Sequence, residues 1–169
     1  GVENYGKLDV NTGLSTRLSD FLSSFDALVD FAINNHVDVV LFCGDAYKSR
    51  DPSQTHQREF ACRIARLSAE GIPVFLLVGN HDIPHVFGRA TALDIFETLG
   101  VSKVVIGDSI AIYCIETRSG PLQILGVPWV TRSSFLAREE SKGLTPDQVN
   151  EAIQERLVRV IRSEAEKLD

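Results

Sequence analysis

A chain of 169 residues, 44% hydrophobic and 24% charged, is long enough to bury one core and has the composition of an ordinary globular domain. Its net charge of −6 argues against a dedicated nucleic-acid-binding module, which is usually basic, but not against an enzyme that meets nucleic acid through bound cations. No apolar run approaches the ~20 residues of a transmembrane helix, and the polar N-terminal stretch has no signal-peptide core.

The three cysteines, Cys43, Cys62 and Cys114, are odd in number and lack a C-x-x-C spacing. They read as reduced thiols of a cytoplasmic protein, not as a disulfide framework or a zinc site. Cys43 ends an apolar run and is expected in the core. The chain has no Met and begins with Gly, as expected of a translation product that was processed, cut or only partly recorded.

In chain order, residues 1–15 lack periodicity and read as a loop. Ser15 or Thr16 can cap a helix over 17–35, whose apolar positions fall in steps of three and four and form one stripe for packing on a sheet. Residues 37–43 read as a strand whose apolar Val39-Val40-Leu41-Phe42 is unbroken by polar residues, the pattern of a strand covered on both faces in a parallel sheet. It ends in Gly44-Asp45. A second helix over 53–69 is stopped by Gly71, with Phe60, Ile64 and Leu67 inward. A buried strand over 72–78 then runs into Gly79-Asn80-His81-Asp82.

This is a βαβ pattern, with a right-handed crossover and both strands pointing the same way. The C-terminal strand ends, bearing Asp45 and Asn80-His81, therefore share one sheet edge, where open α/β sheets bind ligands. Taken alone, the second segment is an ordinary polar turn, with Gly79 and Asn80 supplying a bend. Placed one βαβ unit after Gly44-Asp45, it becomes a candidate site.

After a loop over 83–89 and a short helix over 90–99, the texture changes. Strands over 103–106, 110–117 and 122–125 are separated by the turn pairs Gly107-Asp108 and Ser119-Gly120. They read as an antiparallel meander beside the parallel part. Thr145-Pro146-Asp147-Gln148 is a capping box with Pro at the first helical position, and it opens a last amphipathic helix. No repeat or domain boundary is visible, so residues 1–169 read as a single domain, incomplete at both ends.

Asp45 and Asn80 offer oxygen donors suited to hard divalent cations. A carboxylate can bridge two ions and an amide carbonyl can ligate one. Two ions roughly 3.5–4 Å apart would bind a phosphate oxygen, activate a water and stabilise an in-line displacement. His81 would face the substrate and donate a proton or hydrogen bond. Asp82 would orient His81 through its other ring nitrogen or cap the following turn. Of the other histidines, His36 at a helix end and His56 in the first turn of a helix are expected to be exposed. His85, in the loop after the motif, is the spare candidate for substrate or metal.

Gly44-Asp45 after one apolar strand and Gly79-Asn80-His81-Asp82 after the next resemble the second and third motifs of the calcineurin-like metallophosphoesterases. The stretches Gly44-Asp45-Ala46-Tyr47-Lys48-Ser49-Arg50-Asp51-Pro52-Ser53 and Leu125-Gly126-Val127-Pro128-Trp129 resemble the SbcD-type nuclease subunit of the DNA double-strand-break repair complex.

The resemblance implies a metallophosphatase-type αββα sandwich and two divalent metals, manganese first and magnesium second, that hydrolyse phosphodiesters in DNA as an exonuclease or endonuclease. It implies that Asp45 bridges the metals, Asn80 ligates one and His81 is catalytic. It further implies a homodimer that pairs with an SMC-like ATPase of the SbcC type, away from membranes. The family's first motif, Asp-x-His, and its late Gly-His and Gly-His-x-His motifs would fall outside residues 1–169, so little activity is expected of the chain alone. Lys48 stands where these nucleases often carry a His; it cannot ligate metal while protonated but can contact a phosphate. Two other readings remain open at this point. One is a phosphoesterase of the same superfamily acting on small phosphodiesters or phosphomonoesters. The other is a non-catalytic interaction or scaffold fragment.

Overall fold

In the computed structural model, residues 6–84, 89–131 and 143–168 are described. The elements are helix α1 (Thr16–Asn34), strand β1 (Val40–Phe42), α2 (Gln54–Ala69), β2 (Val74–Leu77), α3 (Asp94–Thr98), β3 (Val104–Gly107), β4 (Ala111–Thr117), β5 (Gly120–Gly126) and α4 (Pro146–Ala165). Local chemistry sets several boundaries. Ser53 accepts the His56 N–H at the start of α2, and Thr145 and Gln148 form the reciprocal capping box that starts α4. Gly71, after α2, has the left-handed φ of 74° that a helix C-terminus uses.

Strands β1, β2 and β3 form a parallel sheet in that order, with Val40 opposite Val74 and Val74 opposite Val104. β4 and β5 form an antiparallel hairpin in which Thr117 faces Gly120 across a two-residue turn. The alternation along β2 sorts its side chains between two layers. Val74, Leu76 and Val78 join the core with Val29 of α1, Ile64 and Leu67 of α2, and Leu93 and Phe96 near α3. Phe75, on the opposite face, stacks edge-on against Tyr113 of the hairpin with ring centroids 5.0 Å apart. α4 lies against β5. The order of layers is helices, parallel sheet, hairpin, helix: a mixed α/β sandwich of the expected αββα kind.

Three expectations are corrected. β3 does not belong to an antiparallel meander; it pairs parallel to β2, and Gly107-Asp108 links the two sheets instead of turning a hairpin. Periodicity marks a strand but carries no information on which neighbour it pairs with or in which direction. β1 is shorter than the apolar run that encodes it and is not covered on both faces. The hairpin covers Phe75 on β2 but leaves Leu41 on the edge strand 49% exposed. For the same reason Cys43 is exposed and not in the core, as are the other two free cysteines.

Side-chain contacts hold the layers in place. Arg63 bonds Asp26 on α1 at 2.7 Å and Glu59 on its own helix at 2.9 Å. The hairpin turn hooks onto the loop before β1. Arg118 donates to the His36 carbonyl, and Ser119 donates to Asp38 at 3.0 Å. Phe60 is the aromatic hub of the helix layer, with ring centroids 5.2–5.6 Å from Tyr47, Phe42 and Phe25.

Replacing Phe60 by Ala should therefore lower the unfolding free energy by about 3–5 kcal/mol. Leu41→Ala, on the open face of β1, should change it by no more than about 0.5 kcal/mol. Urea denaturation followed by circular dichroism measures both.

Candidate metal and catalytic site

The C-terminal ends of β1 and β2 meet through two glycines. A Cβ on Gly79 would lie 2.2 Å from the Asp45 nitrogen and 2.4 Å from its Oδ1. A Cβ on Gly44 would lie 3.1 Å from the Gly79 Cα. Gly79 is thus needed for close approach and not for a left-handed bend, which it does not make. The left-handed residues are Gly44, at φ 102°, and Asp45, at φ 53°. Asp is among the few side chains that tolerate this region, and the bend turns the Asp45 carboxylate toward the second loop.

There the Asp45 Oδ1 accepts the His81 N–H at 3.0 Å. The end of the Asn80 amide lies 3.2 Å from both Asp45 oxygens. With nitrogen at that end, the amide donates to the carboxylate. With the amide turned over, its oxygen would face the two carboxylate oxygens, as two oxygen donors to one cation would. Neighbouring oxygens on an octahedral ion with 2.0–2.1 Å bonds are roughly 3 Å apart, so the spacing fits a small divalent ion. Asp45 and Asn80 are two such donors. Among the described residues no group of three or more His, Cys, Asp and Glu converges on a metal position.

Asp82 is the surprise of the site. It is 1% exposed. Its carboxylate accepts the Gly79 N–H at 2.9 Å and the Ala46 and Tyr47 N–H groups at 3.4 Å each. The sequence offered it two roles, orienting His81 or capping the following turn, and its described bonds add another. Among the described hydrogen bonds none joins it to the His81 ring, and it caps backward and across, tying the loop after β1 to the loop after β2. The sequence signal was present but ambiguous: a carboxylate closing a turn can bond any nearby N–H, and only the fold brings those of Ala46 and Tyr47 within reach.

Two cavities open beside Asp45, which lines both. One, of about 390 Å³, also takes in Asn80, Cys43, Trp129 and Leu157. The other, of about 460 Å³, takes in His81, Lys48, His56 and the aromatic rings of Phe21 and Phe25. Asn80 and His81, adjacent in sequence, thus serve different sides of the same carboxylate. Lys48 and His81 are exposed where a phosphate can meet them. His36 is exposed, as expected. His56 is half-buried and lines the His81 cavity, against the expectation of a solvent-facing residue. The signal for it lay in topology: a crossover helix begins at the sheet edge where its preceding strand ends, so the first turn of α2 had to lie near Asp45. His85 lies outside the described residues.

Burial raises the Tyr47 phenol well above its ordinary value of 10.0, and the charge of Asp82 raises it further.

The three N–H bonds converging on one buried carboxylate should make Asp82→Ala cost about 2–4 kcal/mol of unfolding free energy. Chemical denaturation gives the loss, and calorimetric titration with Mn²⁺ should show weaker binding, because the two loops are no longer held together. For Tyr47, the neutral phenol is favoured in the folded chain, so its contribution is complete below pH 10 and is lost as pH rises toward the folded value. Tyr47→Phe should flatten the fall in stability above about pH 10, read from urea midpoints measured along a pH series.

The profile of the calcineurin-like phosphoesterases matches residues 18–157. Three proteins, each named DNA double-strand break repair protein Mre11, are similar. That of Thermoplasma acidophilum is 33% identical over 113 residues, which are 67% of this chain and 29% of that protein. That of Halobacterium salinarum is 37% identical over 87 residues, 52% of this chain and 22% of that protein. That of Sulfurisphaera tokodaii is 32% identical over 98 residues, 58% and 25% respectively. The chain spans less than a third of the length of these curated relatives. No helix among the described residues is long and apolar enough to cross a membrane. With its profile match running from α1 into α4 across both strand-end loops, the chain belongs to the calcineurin-like phosphoesterases, a family of hydrolytic enzymes.

Proposed function

We propose that this chain carries the central part of a DNA nuclease site of the Mre11 and SbcD kind, hydrolysing phosphodiester bonds with divalent metals. The observation that carries the reading is the meeting of Asp45 and Asn80 at 3.2 Å on paired ends of parallel strands, with His81 beside them. Support for DNA as substrate comes from the relatives, whose names state repair of DNA double-strand breaks.

In this reading Asp45 and Asn80 would hold the metal ions, Asp45 through its carboxylate and Asn80 through its amide oxygen. The ions, manganese first and magnesium second, supply Lewis-acid activation of water and charge neutralisation at the phosphate when bound. His81 stands in solvent at the mouth of the larger cavity, placed to donate a proton or hydrogen bond to the leaving oxygen. Its main chain is held by Asp45, so a shift of the carboxylate moves the imidazole too. Lys48, as an ammonium, contacts a phosphate oxygen and does not ligate metal. Asp82 acts on the reaction only through the loops it joins. The likeness to the repair nucleases adds pairing with an SMC-like ATPase and dimerisation as proposals for the parent assembly.

The test is hydrolysis of linear DNA and of a small chromogenic phosphodiester by the longest natural form of the protein with Mn²⁺. His81→Ala should lower the DNA rate by about 10²–10⁴-fold while leaving Mn²⁺ binding in place. Asp45→Asn should abolish Mn²⁺ binding and activity together. Rapid diester hydrolysis without DNA cleavage would shift the reading to small substrates, and rates unaffected by either substitution would remove the site.

A further inference from the structure

Trp129 is 59% exposed, yet its main chain is firmly held. Its N–H donates to the Val78 carbonyl at 3.0 Å, immediately before Gly79-Asn80. The preceding Pro128 is buried. Gly126 is packed so closely that a Cβ there would lie 2.6 Å from the Tyr113 ring and 3.2 Å from Phe75. The result is a large aromatic side chain left in solvent on a backbone tied to the end of β2. It lines the same 390 Å³ cavity as Asp45 and Asn80. Burial in the core does not explain the ring's position, and nothing in the phosphoester chemistry above uses it.

From this juxtaposition we infer that Trp129 is a stacking platform for the nucleobase next to the phosphate held at Asp45 and Asn80, so that the site selects nucleotides whose bases are unpaired. The inference rests on the nucleic-acid reading given above and deepens it. In a nucleic acid each phosphate has a base one sugar away, so an aromatic ring beside a phosphate site meets a base face. In a continuous duplex both faces of every base are covered by neighbours, and the ring can engage only a single strand, a frayed end or an extruded nucleotide. Charge argues the same way. With a net charge of −6, the chain offers little long-range attraction for a phosphate backbone. Affinity then depends on local contributions, which are the bound ions and stacking. Because its main chain is already fixed and its side chain has only two rotatable bonds, Trp129 loses little entropy on stacking.

Trp129 is the single tryptophan of the chain, so intrinsic fluorescence reports on this ring alone. With Mn²⁺ present, a short oligothymidylate should quench it saturably. An abasic oligonucleotide of the same length should bind about 5–150-fold more weakly, the range expected for loss of one stacked base. Anisotropy of a labelled oligothymidylate should show a similar loss for Trp129→Leu and near-complete rescue for Trp129→Phe. If the abasic strand binds and quenches as well as oligothymidylate, or Trp129→Leu binds as tightly as the parent, the stacking role is overturned while the nuclease reading stands. If neither strand binds, both are overturned.

Discussion

One buried carboxylate holds the two halves of the candidate site together. Asp82 accepts N–H groups from the loop after β1 and from the loop after β2, and it does so almost wholly out of solvent. Backbone donors left unpaired in such a place would each cost free energy, so the carboxylate and the two loops form a unit that is satisfied together or not at all. The short Gly44–Gly79 approach follows from it. Only residues without a Cβ allow the strand ends to come close enough for one side chain to reach both. Asp45 and Asn80 meet because their backbones are held close enough for the Asn80 amide to reach the carboxylate.

This arrangement suits a metal-dependent hydrolase for a simple reason. Ligands that must gather around a cation at fixed spacing lose affinity if the loops that carry them drift. Here the loops that carry the proposed ligands, Asp45 and Asn80, sit at the ends of parallel strands and are cross-tied beneath the surface. The exposed groups, His81 and Lys48, stand above that tie where a substrate can reach them. The second layer contributes from the other side. The hairpin packs Tyr113 against Phe75, and the chain leaving β5 returns to Val78, which brings Trp129 to the rim of the Asn80 cavity.

Much of this was legible in the chain itself. The βαβ order, the helix caps at Ser53 and Thr145, the apolar run of β2 and the pairing of Gly44-Asp45 with Gly79-Asn80-His81-Asp82 on one edge all depend on local pattern and on the fixed hand of the crossover. The direction of β3 was not legible, because the same three apolar residues, Val104, Val105 and Ile106, suit a parallel or an antiparallel neighbour. Nor was the exposure of Cys43 and Leu41, because an apolar run does not say whether a second layer reaches the edge strand. His56 was misplaced for a related reason: its position in a first turn suggested solvent, while the helix start lay over the site.

The amino-acid sequence by itself determined which strand ends present the candidate residues Asp45, Asn80 and His81, since that follows from short-range periodicity, capping and chirality. The tertiary structure alone decided what those residues touch. It assigned Asp82 to three backbone donors, set Asn80 and His81 on different sides of Asp45, and brought Trp129 to the site from a distant strand. Hydrogen-bond partners and cavity walls come from segments far apart in the chain, and their meeting depends on how layers stack, which no local pattern records.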